Sequence, residues 1–315
     1  MPANRPPALF PGATVAVLAP ASAPRDLERI EAGKATLAQR YGLRFIDSPI
    51  APVGYLANTD AARADAFNAA VANPAVDALF CVRGGYGTLR ILDAINYETA
   101  RAQPKLLVGY SDITALQLAL YHNAGWSSLS GPMVAVEWPD PDEPSAGQFW
   151  QMATGVGAGP LIGPYGEQLA PVRAGEASGV LLGGNLSLVS KLIGTPYMPD
   201  LTGAILFLEE VGEEPYRIDG LFAHLKLSGI LDALGGLVLG RFTEDTRPST
   251  APGMTTADVI AHYTADLNVP VARNLTYGHV PVKNAMPMGV AARLNVTDET
   301  AELTLLETPV RAALG

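Results

Sequence analysis

Short apolar and β-branched runs alternate with amphipathic stretches through the first half of the chain. Thr14 to Leu18 predicts a buried strand, Arg25 to Tyr41 a helix stopped by Gly42, and Leu43 to Ile46 the next strand. A second helix is expected from Thr59 to Asn73, with Thr59 or Asp60 as N-cap and Pro74 just beyond its end. Ala78 to Val82 and Lys105 to Val108 read as further strands, each running into a glycine-bearing turn. This rhythm predicts a parallel sheet with helices on both faces.

The pattern breaks at Pro139-Asp-Pro-Asp-Glu-Pro144, which reads as a loop because proline fits neither a helix interior nor a central strand. Gly and Pro remain frequent to about Arg173. Beyond it, strands are expected at Ala204 to Leu208 and Leu237 to Leu239. Helices are expected near Ser187 to Ile193, Ile218 to Leu227 and Thr256 to Asp266. A closing hairpin would pair Ala291 to Val296 with Ala301 to Leu306 across Asp298-Glu299. The expected organisation is an N-terminal parallel-sheet α/β domain at 1–138, a linker at 139–173 and a smaller C-terminal α/β domain at 174–315. A chain of 315 residues suits two cores better than one.

Composition narrows the partners. The chain is 48% hydrophobic, enough to bury a sizeable core, and only 17% charged. Its formal charge of −10 disfavours nucleic acid and anionic membranes, so neither is expected as a partner. The lone cysteine, Cys81, excludes an intramolecular disulfide and suits a reducing compartment; cytoplasmic location is the expectation. With one cysteine and four scattered histidines, no metal site is expected. The apolar start leading to Ala21-Ser22-Ala23 has one basic residue, Arg5, and is interrupted by Pro6, Pro7, Pro11 and Gly12. It therefore reads as a buried strand and its approach, rather than a secretory leader.

Several segments could carry chemistry. In Lys105-Leu-Leu-Val-Gly-Tyr-Ser111-Asp112 a buried strand runs into a sharp turn and a helix follows at once. Ser111 then sits at the carboxyl end of a parallel strand, where open α/β sheets bind ligands, in a turn that resembles a nucleophile elbow. Read locally, Ser111 is either a nucleophile or an N-cap, and the second glycine of the usual elbow is absent. The Arg83-Gly84-Gly85-Tyr86-Gly87 turn lacks a P-loop lysine. Its glycines either approach a ligand or only make a tight turn, and Arg83 either grips a carboxylate or forms a structural ion pair. Glu209 closes an apolar strand and stands apart from Glu210, Glu213 and Glu214 of the following turn. His122, His224 and His262 fall on helices, whereas His279 lies in an irregular turn between Gly278 and Pro281.

Together these segments carry a resemblance. Arg83-Gly-Gly-Tyr-Gly87, Gly109-Tyr-Ser-Asp-Ile-Thr114, Gly184-Asn-Leu-Ser187, Leu208-Glu-Glu-Val-Gly212, Pro215-Tyr-Arg-Ile-Asp219 and Gly278-His279 follow in order. The chain resembles, from about Gly12 to Val296, the LD-carboxypeptidase family of serine peptidases. That family includes muramoyl-tetrapeptide carboxypeptidases and microcin C self-immunity proteins. The resemblance implies a nucleophile at Ser111, a triad glutamate at Glu209 and a triad histidine at His279, with the site between the two domains. It also implies a homodimer and no cofactor. Backbone amides of Asp112 and Gly85 are expected to hold the oxyanion, and Arg83 the substrate's terminal carboxylate. Where the family often has His-Gly-Pro-Met, this chain has Ser130-Gly-Pro-Met133, so Ser130 is expected to line the substrate site with contacts that differ from the family's.

The reaction implied is cleavage of the L–D bond of a murein-type tetrapeptide, with release of terminal D-alanine in cell-wall recycling. The same residues suit hydrolysis of a microcin-like aminoacyl nucleotide, for which Trp138 or Trp150 would stack on adenine unless they only cap the core. A third reading is a non-catalytic binding module on the same fold.

Overall fold

The structure is a computed structural model that describes residues 4–243 and 253–311. The ends of the predicted domain ranges, 1–3 and 312–315, lie outside the described residues, as does 244–252. The first half forms β1 (Thr14–Leu18), α1 (Glu28–Tyr41), β2 (Arg44–Asp47), α2 (Asp60–Ala72) and β3 (Ala78–Cys81). After a 3-10 turn at Thr88–Ala94 come α3 (Tyr97–Ala102), β4 (Leu106–Val108), α4 (Ile113–Ala124) and β5 (Ser128–Ser130). Strands β5, β4, β3, β1 and β2 lie side by side in that order, all parallel. Every residue of β3 and β4 is buried, because helices cover both faces of these uninterrupted apolar runs. β2 forms one edge and is mostly exposed. Local chemistry sets the helix limits: Thr59 Oγ1 accepts the Ala62 amide at the start of α2, and Gly42 ends α1 with φ 66°.

The rest of the chain forms α5 (Glu143–Ala153), β6 (Gly159–Pro160), β7 (Ala170–Arg173), β8 (Gly175–Asn185), α6 (Leu186–Leu192), β9 (Ile205–Val211), α7 (Pro215–Leu227) and α8 (Ile230–Ala233). There follow β10 (Gly236–Thr243), α9 (Thr256–Thr264), β11 (Val271–Arg273), β12 (Met286–Met288), β13 (Val290–Val296) and β14 (Ala301–Leu305). A second sheet has the order β6-β14-β13-β8-β9-β10-β11-β7. Its centre, β8 to β11, is parallel, and antiparallel strands flank it on both sides. β12 crosses back to the first sheet and pairs antiparallel with β5; at that edge Pro287 is tolerated.

Two expectations are corrected. The proline-rich stretch at 139–144 is not all loop: α5 begins at Glu143 and holds Pro144 in its first turn, where a missing amide costs nothing. Asp142 caps that helix by accepting the Ser145 amide at 3.0 Å. Residues 139–173 also supply β6 and β7 to the second sheet, so only part of the range connects domains. The long strand β8 was not foreseen, because glycine interrupts its apolar pattern. There glycine is needed for close approach: a methyl group on Gly183 would lie 1.9 Å from the Phe207 carbonyl oxygen. The two sheets meet where β8 ends against the start of α4, and Asn185 donates its amide to Thr114 Oγ1 at 3.1 Å.

Candidate active site

Ser111 stands between β4 and α4 with φ 66°, one of two non-glycine residues at positive φ among the described residues. This sparsely populated conformation turns the chain sharply off the sheet. The turn after β3 closes over it: a methyl group on Gly84 would lie 2.8 Å from Ser111 Cβ and 3.1 Å from Oγ. Gly84, rather than Gly85, is thus the glycine in contact with the serine. Gly85 has φ 118° and faces Ser22. Both turns lie at the carboxyl ends of parallel strands.

The second sheet brings the other two groups. Glu209 is fully buried near the end of β9, and its Oε1 accepts Asn185 Nδ2–H at 3.2 Å. Its Oε2 lies 2.8 Å from His279 Nδ1, and His279 Nε2 lies 2.9 Å from Ser111 Oγ. Donation of Nδ1–H to the carboxylate leaves Nε2 free to accept the serine proton. The His279 loop is tied down by the Arg241 amide to the Tyr277 oxygen (2.8 Å) and the Asn284 amide to the Thr276 oxygen (2.6 Å). Gly278, at φ 134°, lets this loop approach: a methyl group there would lie 3.0 Å from Glu209 Oε2.

Three further residues adjoin the site. The Tyr110 ring meets His279 edge-on, with centroids 5.1 Å apart. Tyr110 Oη donates to Glu137 Oε1 (2.8 Å) and accepts from Lys283 Nζ (2.9 Å), which also donates to Glu137 Oε1 (2.7 Å). Burial, reinforced by the Glu137 carboxylate, pushes the Tyr110 hydroxyl pKa well up and keeps it protonated. Lys283 is itself buried and comes from the second half of the chain, so this ion pair joins the two domains. A cleft of about 560 Å³ opens beside His279, with Tyr110, Glu137, Asp140 and Lys283 among its lining residues.

Asp112 follows Ser111 and turns its carboxylate away to the Thr88 amide (2.8 Å); burial raises its pKa despite that bond. The amides of Asp112 and Gly85 have no intramolecular acceptor among the described residues. Arg83 is half-buried, with Nε donating to the Gly84 oxygen at 3.2 Å. Ser130 is a correction: it is fully buried in β5, and its hydroxyl is paired with Tyr277 Oη at 2.6 Å, so it faces the protein and not a substrate. His122, His224 and His262 are exposed on α4, α7 and α9. Trp138 is fully buried, and Trp150 stacks on Tyr41 at 3.8 Å. Among the described residues no group of His, Cys, Asp or Glu could hold a metal, and no helix is long and apolar enough to cross a membrane.

Sequence reasoning missed Asn185, Glu137 and Lys283. Asn185 had a visible signal, since it lies in the Gly-Asn-Leu-Ser segment. It caps α6 through Oδ1 while Nδ2 reaches Glu209 and Glu210. Glu137 and Lys283 are separated by 146 residues, and no local pattern marks them.

Two family models match this chain: the LD-carboxypeptidase N-terminal domain over residues 15–131 and the LD-carboxypeptidase C-terminal domain over residues 178–294. The chain belongs to the LD-carboxypeptidase family and is a serine-type carboxypeptidase. A Streptomyces coelicolor protein named as a putative carboxypeptidase is 39% identical over 316 residues, covering 96% of each chain. The crystal structure of muramoyltetrapeptide carboxypeptidase from Oxalobacter formigenes is 28% identical, with a TM-score of 0.81 over 93% of this chain and 98% of that one. The microcin C7 self-immunity protein MccF of Escherichia coli is 24% identical over 295 residues, covering 84% of this chain and 85% of its own. A wild-type structure of MccF has a TM-score of 0.84 at 23% identity, over 95% of this chain and 98% of that one, and so shares the fold.

Proposed function

We propose that the enzyme cleaves the L–D peptide bond of murein tetrapeptides and releases terminal D-alanine during cell-wall recycling. The observation that carries this reading is the continuous chain from Ser111 Oγ to His279 and on to buried Glu209, at 2.9 and 2.8 Å. Ser111 Oγ attacks the carbonyl before the terminal D-residue while His279 Nε2 takes its proton. Glu209 orients the imidazole and stabilises it once charged. The free amides of Asp112 and Gly85 donate to the developing oxyanion; a donor in that role contributes about 10²–10³ in rate. His279 then returns the proton to the leaving D-alanine nitrogen, and an acyl ester remains on Ser111. Water, deprotonated by His279, hydrolyses the ester and frees the serine.

In this reading 1–138 supplies the nucleophile and 174–315 the glutamate and histidine. A cytoplasmic location, which the lone cysteine suits, and a homodimer, which the family resemblance implies, belong to the same proposal. Against an aminoacyl nucleotide, Trp138 is fully buried and offers no face to a base, and half-buried Trp150 already stacks one face on Tyr41.

The test is D-alanine release from L-Ala-D-Glu-diaminopimelate-D-Ala. Wild type should release D-alanine, and Ser111→Ala should lower kcat by about 10⁴ or more. No release by wild type would overturn the substrate, and equal release by both proteins would overturn the nucleophile.

A further inference from the structure

In a chain of net charge −10, one hollow at the glycine turn that follows β3 reverses the sign. It measures about 290 Å³, and Arg25, Arg29 and Arg83 line it together with Asp26, Ala135 and Val136. The ion pairs of arginines among the described residues engage Arg5, Arg40, Arg63, Arg90 and Arg217 and leave these three out. The Asp26 carboxylate accepts the Glu28 amide at 2.9 Å, while Glu28 and Glu31 line a different hollow with Asp47.

The hollow is built, not fortuitous. Arg29 donates Nε–H to the Ala135 oxygen (2.9 Å) and Nη2–H to the Val136 oxygen (2.8 Å), which leaves other guanidinium donors for a ligand. Its floor is fastened to the end of β3 by the Val134 amide to the Cys81 oxygen (3.0 Å) and the Ala135 amide to the Val82 oxygen (2.9 Å). Arg83 folds back along the glycine turn, and a methyl group on Gly85 would lie 3.6 Å from its Nη2. Arg83 directly precedes Gly84, the glycine in contact with Ser111. Val136 lines both this hollow and the cleft beside His279, so the two adjoin at one side chain.

We propose that Arg25, Arg29 and Arg83 form a carboxylate-binding subsite for the peptide substrate. The assignment deepens the murein-peptide reading and rests on it for the identity of the ligand. Guanidinium forks match the planar geometry of a carboxylate, and three cations with one carboxylate among them draw an anion and repel an amine. A murein tetrapeptide offers carboxylates both at its D-alanine terminus and on interior residues, and the arms of the test separate the two.

The first measurement uses citrate at constant ionic strength and reads thermal stability. Wild type should show a saturable rise in Tm, and Arg25→Gln/Arg83→Gln should need about tenfold more citrate for the same rise. Equal responses, or none in either protein, would overturn the subsite. Arg25→Gln alone changes an exposed side chain and guards against a folding defect. It should shift the citrate midpoint by about threefold or more, and an unmoved midpoint overturns a three-arginine site. This readout needs no turnover, so it stands or fails separately from D-alanine release. With turnover, the double variant should raise KM for the tetrapeptide by about tenfold or more while kcat changes little. Amidating one carboxylate at a time then identifies the ligand: the amide that removes the KM difference between wild type and variant marks the carboxylate bound. An unchanged KM, or a difference that survives every amidation, overturns the subsite.

Discussion

Ser111 reaches the site through backbone conformation, whereas Glu209 and His279 reach it through side-chain partners. In the first region a short strand, a positive-φ turn and a helix follow within a few residues, and the Gly84 turn packs directly on the serine. In the second, Asn185 holds Glu209 from 24 residues away, Glu209 holds His279 from 70, and His279 meets Ser111 across 168. The nucleophile half is therefore local and stiff, while the base half depends on how well the second sheet and the domain junction are assembled. Changes in the base half should cost activity or stability through orientation. Changes in the nucleophile half that spare both the backbone and the Ser111 hydroxyl should cost little.

The largest effect expected in this comparison is on Glu209. Glu209→Gln keeps the shape of the side chain but removes the charge that fixes the His279 tautomer and stabilises the imidazolium. It should lower kcat for D-alanine release by about 10⁴ and leave KM nearly unchanged. A loss below about tenfold would mean that His279 is oriented by its loop alone.

The next effect tests the domain junction. Lys283→Met leaves the half-buried Glu137 carboxylate beside the Tyr110 hydroxyl without its cation, which should reduce stability in urea by about 1–3 kcal/mol. Adding Glu137→Gln removes the stranded charge and should recover more than half of that loss. If the double variant is no more stable than Lys283→Met, the lysine contributes through packing on the Tyr110 ring, 4.1 Å away, rather than through the ion pair.

The same contrast explains what could be read from the chain. Thr14–Leu18 has the predicted limits, and Thr59 caps α2 as expected, because a buried parallel strand and a capped helix each carry their signal within one segment. The strand–turn–helix around Ser111 is legible for the same reason. Elements that depend on distant partners were not. Glycines hide β8 because its neighbour β9 comes too close for side chains, Pro144 conceals a helix that begins with it, and Pro287 conceals an edge strand. The residue types at Glu209 and His279 could be named through the family resemblance, but their distances could not. Asn185, Glu137 and Lys283 complete the surroundings only through contacts that the fold creates.

The smallest effect lies in the nucleophile half, at Asp112. Its carboxyl is buried, and burial raises its pKa above the ordinary 3.8 although the Thr88 amide donates to it. Between 3.8 and the raised value the folded protein holds a proton that the unfolded chain has released. Stability contributed by this group is therefore present at acid pH and falls as pH rises through that window. Asp112→Asn keeps an oxygen for the Thr88 amide, removes the titration and leaves the backbone amide of residue 112 in place. Urea denaturation of both proteins across pH isolates the group, since their other charges are shared. Wild type should gain stability relative to the variant as pH falls through the window, and the variant should be the more stable at neutral pH. A difference that is flat, or that slopes the other way, would show that the Thr88 bond outweighs burial and that the carboxylate is held charged beside Ser111.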